Sequence, residues 1–179
     1  MMPTELVMGP GRTNSLPSHL VNAGFINADS HNYIGFNARD IYKGDVTEQD
    51  VNLIYNMSNV NLSTTLGEGC GLSLLEAQAS GTPSIAPNNS AIPEMLNGTG
   101  ILVPNEAVYS LQGDNAIVRP IVNAFEVTVA LEKYYNEWIT SGKKKIIYQE
   151  CIDNVNTNFQ WEDKRMLLKQ LFKETLESK

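Results

Sequence analysis

Residues 68–83 read Glu-Gly-Cys-Gly-Leu-Ser-Leu-Leu-Glu-Ala-Gln-Ala-Ser-Gly-Thr-Pro, a glycine-rich turn that runs directly into a helical stretch. A short apolar run at residues 60–62 stands just upstream. Strand, glycine turn and helix in that order put the turn at the carboxyl end of a strand, where open α/β sheets bind their ligands. Two carboxylates, Glu68 and Glu76, lie eight positions apart across this turn. A nucleotide site is the leading expectation.

The rest of the chain supports a sheet of this kind. Short β-branched runs alternate with helical stretches, the pattern of βαβ units and a mainly parallel sheet. Residues 6–8 and 33–36 read as strands, as do 60–62, 84–86 and 101–103. Thr47 with Asp50 resembles a capping box for a helix with Val51, Ile54 and Tyr55 on one face. The helix after the turn spans about residues 72–80, with Gly81 capping its end and Pro83 blocking continuation. Residues 92–96 form a short helical turn. A loop near 112–115 precedes 117–122, where Pro120 predicts an edge strand. Asn123 and Glu126 make a capping-box pattern for a long helix. Further helices are expected over roughly 143–155 and from Glu162 onward, the last presenting Met166, Leu167, Leu171, Phe172 and Leu176. These three helices pack or cover rather than catalyse.

A chain of 179 residues with 42% hydrophobic content is long enough for one ordinary core and too short for two large domains. The net charge of −7 leaves no basic excess for a phosphate backbone, so nucleic acid is not an expected partner. No apolar stretch approaches the roughly 20 residues of a membrane span, and the first residues lack a signal-peptide pattern. A cytoplasmic protein is expected. Cys70 and Cys151 make no disulfide framework and no Cys/His cluster has zinc spacing, so free thiols and no metal are expected. The Asn-x-Ser/Thr triplets at Asn56, Asn61, Asn88 and Asn97 are chance in an Asn-rich chain.

The turn has a definite chemistry. At a helix start the first N–H groups lack intrahelical partners and the dipole is positive, so Gly69, Cys70, Gly71 and Leu72 can offer amides to a diphosphate. Carboxylates repel phosphate but accept hydrogen bonds from sugar hydroxyls. Amides for phosphate, with Glu68 and Glu76 for sugars on either side, describe a sugar-nucleotide pocket. A pair of solvated glutamates beside a helix cap is the bland alternative.

The full string from Glu68 to Pro87 resembles the donor-site signature of GT-B glycosyltransferases of the large retaining family 4, including its Glu-x7-Glu element. Upstream, Lys43 to Glu48, Leu53-Ile54-Tyr55 and Ser58-Asn59-Val60 fit that family. Downstream, Ile92-Pro93-Glu94, Gly98 to Pro104 and Phe159-Gln160-Trp161-Glu162 fit too. The resemblance implies an α/β fold, a Rossmann-like parallel sheet with helices on both faces and C-terminal helices, corresponding to half of a GT-B fold. The whole of 1–179 would then be the C-terminal, sugar-nucleotide-binding domain, without the acceptor domain and without the first βα unit. It implies Glu76 on the nucleotide ribose, Glu68 catalytic and facing the donor sugar, and Gly69, Cys70, Gly71 and Leu72 on sugar and phosphate. The implied donor is a UDP- or GDP-linked sugar, with retention and no metal. Implied partners are an unidentified glycan, lipid or protein acceptor and an N-terminal GT-B half, and an apolar face left by a missing first βα unit would favour association with a second copy.

Two departures stand out. The family usually has Phe where Cys70 stands. A thiol at a helix start is a potential nucleophile, but the nucleophile-elbow pattern needs Gly where Glu68 and Leu72 are, and neither His19 nor His31 is placed as its base. The family also takes an Arg and a Lys for the diphosphate from the first strand and helix. Here the cations near plausible loops are Arg12 and Lys43. Two function classes remain: the donor half of a transferase, or a catalytically incomplete sugar-nucleotide-binding or partner-interaction module.

Overall fold

The computed structural model describes residues 47–110 and 118–177. Apart from Thr47 and Glu48 they belong to one unit, Gln49–Lys179. Helix α1 (Glu48–Met57) leads to β1 (Asn61–Leu62), the glycine turn, α2 (Leu72–Ala79), β2 (Ser84–Pro87), α3 (Ile92–Leu96) and β3 (Ile101–Val103). The three strands lie side by side in sequence order and all parallel, with Asn61 opposite Ser84 and Ile85 opposite Ile101. A parallel step requires a crossover back to the starting edge, and α2 and α3 provide it. This is the expected α/β, Rossmann-like arrangement.

The two-residue period of a strand explains why the sheet is covered on both faces. On β2, Ala86 joins Leu74, Ile92, Met95 and Leu96 in a core under α2 and α3. Its neighbour Ile85 points the other way, into a second core with Val103 and with Ala130 and Tyr134 of the long helix α4 (Ala124–Thr140). β3 alternates likewise, Leu102 packing on the first core and Ile101 on the second. Leu74, Ile85, Ile92 and Leu96 are fully buried, each contributing roughly 1.5–3 kcal/mol of burial.

Local signals end the elements where the sequence predicts. After α2 the Gly81 N–H donates to the Gln78 carbonyl at 2.8 Å and the Thr82 N–H to that of Ala77 at 2.9 Å. This is a Schellman closure, with Gly81 left-handed at φ 65°. At the start of α4 the Asn123 side chain accepts from the Glu126 N–H at 3.1 Å. The reciprocal half of a capping box is replaced, since the Asn123 N–H donates to Pro104 O at 3.0 Å.

Three features differ from the sequence expectation. Residues Asn105–Ser110 form a strand, β4, paired antiparallel with β5 (Val118–Val122) as a separate two-stranded sheet. The predicted edge strand therefore has a partner of its own. The helix expected from residue 143 begins at Gln149 (α5, Gln149–Asn158). Gly142 and Lys143 are both left-handed, at φ 74° and 64°, and two such residues cannot continue a right-handed helix. The last helix, α6 (Trp161–Glu177), contains no buried residue, and Leu167 and Phe172 are more than half exposed.

The sequence-predicted strands at 6–8 and 33–36, the loop at 112–115, and Arg12, Lys43, His19 and His31 lie outside the described residues. Among the described residues no helix is long and apolar enough to cross a membrane.

Candidate functional site

Because all three strands of the main sheet run in one direction, the segments that leave their carboxyl ends gather at one edge. The glycine turn follows β1, residues 88–91 follow β2, and the β4–β5 hairpin follows β3. The edge is stitched by asparagines. Asn88 N–H donates to Val103 O at 2.8 Å, and Asn105 Nδ2 donates to Asn88 O at 3.1 Å.

Gly69 and Cys70 are exposed and Gly71 is buried. Among the described residues, none offers an acceptor to the N–H groups of Gly69, Cys70 or Gly71. The Leu72 N–H is occupied by the Cys70 carbonyl at 2.9 Å, so the four amides expected to face an anion narrow to three in this conformation. Open space lies where a Gly69 side chain would project, whereas a Cβ at Gly71 would stand 2.8 Å from Leu74 Cδ1. Glycine at 69 leaves room for a ligand; glycine at 71 is required by packing. Cys70 is an exposed free thiol, and both histidines of the chain lie outside the described residues.

Glu68 is partly buried and held by its main chain. Its N–H donates to Ser90 Oγ at 2.9 Å, and its carbonyl accepts from Ala91 N–H at 3.4 Å. Ser90 Oγ in turn donates to Asn89 Oδ1 at 3.0 Å. Ser90 is left-handed at φ 49°, a strain of about 1–3 kcal/mol of the sort that gathers at binding sites. Arg119, from β5, reaches the same place: its Nη1 stands 3.8 Å from where a Cβ on Gly67 would be, the same distance as Ser90 Oγ.

Glu76 sits one turn into α2, exposed at the helix surface. The Tyr55 phenol lies near its carboxylate, and burial first, then the Glu76 charge, push the phenol up to about 12. The Tyr55 carbonyl accepts from Thr82 Oγ1 at 2.8 Å and from Lys145 Nζ at 2.7 Å. Burial lowers the Lys145 ammonium below its ordinary value.

The structure thus brings together Glu68, Gly69, Cys70, Gly71 and Leu72, with Glu76 on the helix that follows. Sequence reasoning missed Ser90, Tyr55 and Arg119. A hollow of about 700 Å³ lies elsewhere, lined by Val60, Leu131, Tyr134, Tyr135 and Trp138. It adjoins the amino end of β1, away from the edge where parallel sheets bind ligands, and its lining is mainly apolar.

A family model described as Glycosyl transferases group 1 matches residues 8–114, more than half of the chain. The match takes in the turn, both carboxylates and all three parallel strands. No curated protein matches the chain.

Proposed function

The chain belongs to the glycosyl transferases group 1 family, and from that premise we propose that it binds a nucleotide-sugar donor and is the donor-binding part of a retaining hexosyltransferase. The observation that carries this reading is the row of amides at Gly69, Cys70 and Gly71 without acceptors among the described residues, bracketed by Glu68 and Glu76 at the carboxyl edge of the sheet. Unpaired N–H groups at a helix start with a positive dipole suit a diphosphate.

Glu76 receives the ribose hydroxyls, with the Tyr55 phenol near its carboxylate. Glu68 faces the donor sugar from a main chain fixed by Ser90. Transfer with retention passes through an oxocarbenium-like state, in which positive charge builds on the sugar and negative charge on the departing diphosphate. Preorganised donors aimed at that negative charge lower the barrier, and a carboxylate beside the sugar stabilises the positive one. The acceptor and the opposite wall of the cleft come from an N-terminal GT-B half, covalently joined or separate.

Calorimetric titration of UDP- and GDP-sugars into the 179-residue chain tests the reading. Binding heat that Glu76→Ala abolishes is the expected result, and no heat from either class of donor refutes it. Release of free nucleotide by this chain alone, sustained over many turnovers, would contradict its role as only the donor-binding part.

A further inference from the structure

We infer that Asn89 and Asn105 are positioning residues for Glu68, coupling the foot of the β4–β5 hairpin to the carboxylate that faces the donor sugar. This rests on the sugar-nucleotide reading and deepens it with two residues that reach Glu68 only through others.

Four hydrogen bonds run in one direction from Glu68 to the loop after β2. The Glu68 N–H donates to Ser90 Oγ at 2.9 Å, and the Ser90 hydroxyl donates to Asn89 Oδ1 at 3.0 Å. Asn89 Nδ2 then donates to Asn105 Oδ1 at 3.4 Å, and Asn105 Nδ2 donates to Asn88 O at 3.1 Å. Each side chain in the relay accepts from the group before it and donates to the group after it. Only a hydroxyl, or an amide with its oxygen on one side and its nitrogen on the other, can fill such a place. Reversing the Asn105 amide alone would set nitrogen against the Asn89 nitrogen and oxygen against the Asn88 carbonyl. Bonds aligned head to tail polarise one another, so a break at the hairpin is felt at Glu68. The relay also accounts for the left-handed Ser90, whose side chain is held from both sides.

The far end of the relay is anchored in the sheet. The Asn88 N–H donates to Val103 O at 2.8 Å, and the Asn123 N–H donates to Pro104 O at 3.0 Å. Asn105 itself opens β4 opposite Val122. At the near end the Glu68 carbonyl accepts from the Ala91 N–H at 3.4 Å, so residues 90 and 91 hold both main-chain groups of Glu68. Its carboxylate takes no bond from the described residues. A fixed main chain with a free carboxylate aims the side chain at a ligand without occupying it. Asn88, Ser90 and Asn105 are exposed, so none of them is needed to fill the core.

The test compares ligands that differ only in the sugar. UDP-glucose and GDP-mannose, with UDP and GDP as their sugarless counterparts, are titrated into the full chain and into Asn89→Leu, Asn105→Leu, Glu68→Ala and Glu68→Ala with Asn105→Leu. Hydrogen exchange at the Glu68 amide is followed without ligand. Each asparagine variant should lose about threefold to tenfold in affinity for the sugar nucleotide it binds, as for one net hydrogen bond, with UDP and GDP affinity unchanged. Glu68 amide exchange should quicken by a similar factor, and Asn105→Leu should cost nothing more once Glu68 is alanine. Equal losses with and without the sugar give the asparagines a merely structural role and overturn the inference. A further loss in the Glu68→Ala background, or unchanged Glu68 exchange, overturns it too. Sugar-nucleotide binding that both asparagine variants match overturns it and leaves the donor-site reading standing. If the wild-type chain binds none of the four ligands, the donor-site reading itself falls, and this inference with it.

Discussion

The phenol of Tyr55 lies close enough to the carboxylate of Glu76 for that charge to favour its protonated form, which places α1 beside the helix that opens from the glycine turn. Tyr55 is fixed at its other end, since its carbonyl takes bonds from both Thr82 and Lys145. The exposed Glu76 carboxylate has lone pairs for a ribose hydroxyl.

That proximity has a pH signature. The Tyr55 phenol is pushed from 10.0 up to about 12 in the folded chain, chiefly by burial and then by Glu76. A raised acid binds more protons folded than unfolded between those values, so its contribution is complete below pH 10 and is lost as pH rises through about 12. Glu76→Gln removes the charge and should bring the phenol down. Ultraviolet titration of Glu76→Gln against wild type, each referenced to its Tyr55→Phe counterpart, measures this. Identical Tyr55 titrations in the two backgrounds would show that Glu76 does not contact it.

Ser90→Ala should loosen Glu68 by removing the acceptor of its N–H. The expected cost is about 1 kcal/mol in denaturant unfolding, with a fall in UDP- or GDP-sugar affinity if Glu68 is positioned through this bond. Unchanged stability and unchanged affinity together would assign the 2.9 Å contact no consequence.

Behind the site, Gln78 and Asn154 form a buried link between α2, α3 and α5. Asn154 Nδ2 donates to Gln78 Oε1 at 2.8 Å and to Met95 O at 3.0 Å, while Gln78 Nε2 donates to Met95 O at 3.1 Å. Thr99 Oγ1 completes the acceptor side of Gln78 at 2.6 Å. Removing one partner strands the others in a dry place, so Asn154→Leu should cost about 1–3 kcal/mol. A double-mutant cycle with Gln78→Leu should show coupling of roughly 0.5–3 kcal/mol, whereas additive losses would deny the network.

What could be read from the sequence was whatever acts through its own backbone or a short period. Gly81, Pro83 and Asn123 mark helix ends because left-handed φ, a missing N–H and a side-chain acceptor are local properties. The runs 84–87 and 101–103 stand out because both faces of those strands are covered and both need apolar residues. β4 escaped notice because Asn105, Glu106 and Val108 are all exposed, leaving no buried face to impose alternation. Helix periodicity puts Val51, Ile54 and Tyr55 on one face but does not say what that face meets, so the role of Tyr55 beside Glu76 was hidden. Arg119 is brought to the turn by the hairpin, a pairing between residues far from it in sequence.

The closing turn of α2 separates backbone strain from packing. Gly81 and Gly142 are both left-handed, at φ 65° and 74°. A Cβ on Gly142 meets nothing within 4 Å, while one on Gly81 would stand 2.7 Å from Ile147 Cγ2 and 3.3 Å from Ile152 Cδ1. Gly142→Ala should then lose only the left-handed penalty, about 1–2 kcal/mol. Gly81→Ala adds overpacking against α5 and the segment before it, for about 2–5 kcal/mol altogether. Truncating the neighbour with Ile147→Ala removes the colliding Cγ2 and should recover part of the excess in Gly81→Ala, but none of the loss in Gly142→Ala. Denaturant midpoints of the two variants, with and without Ile147→Ala, supply the comparison. Equal losses at the two glycines would mean that the chain around Ile147 yields freely, and that the end of α2 is not packed against it as the 2.7 Å approach requires.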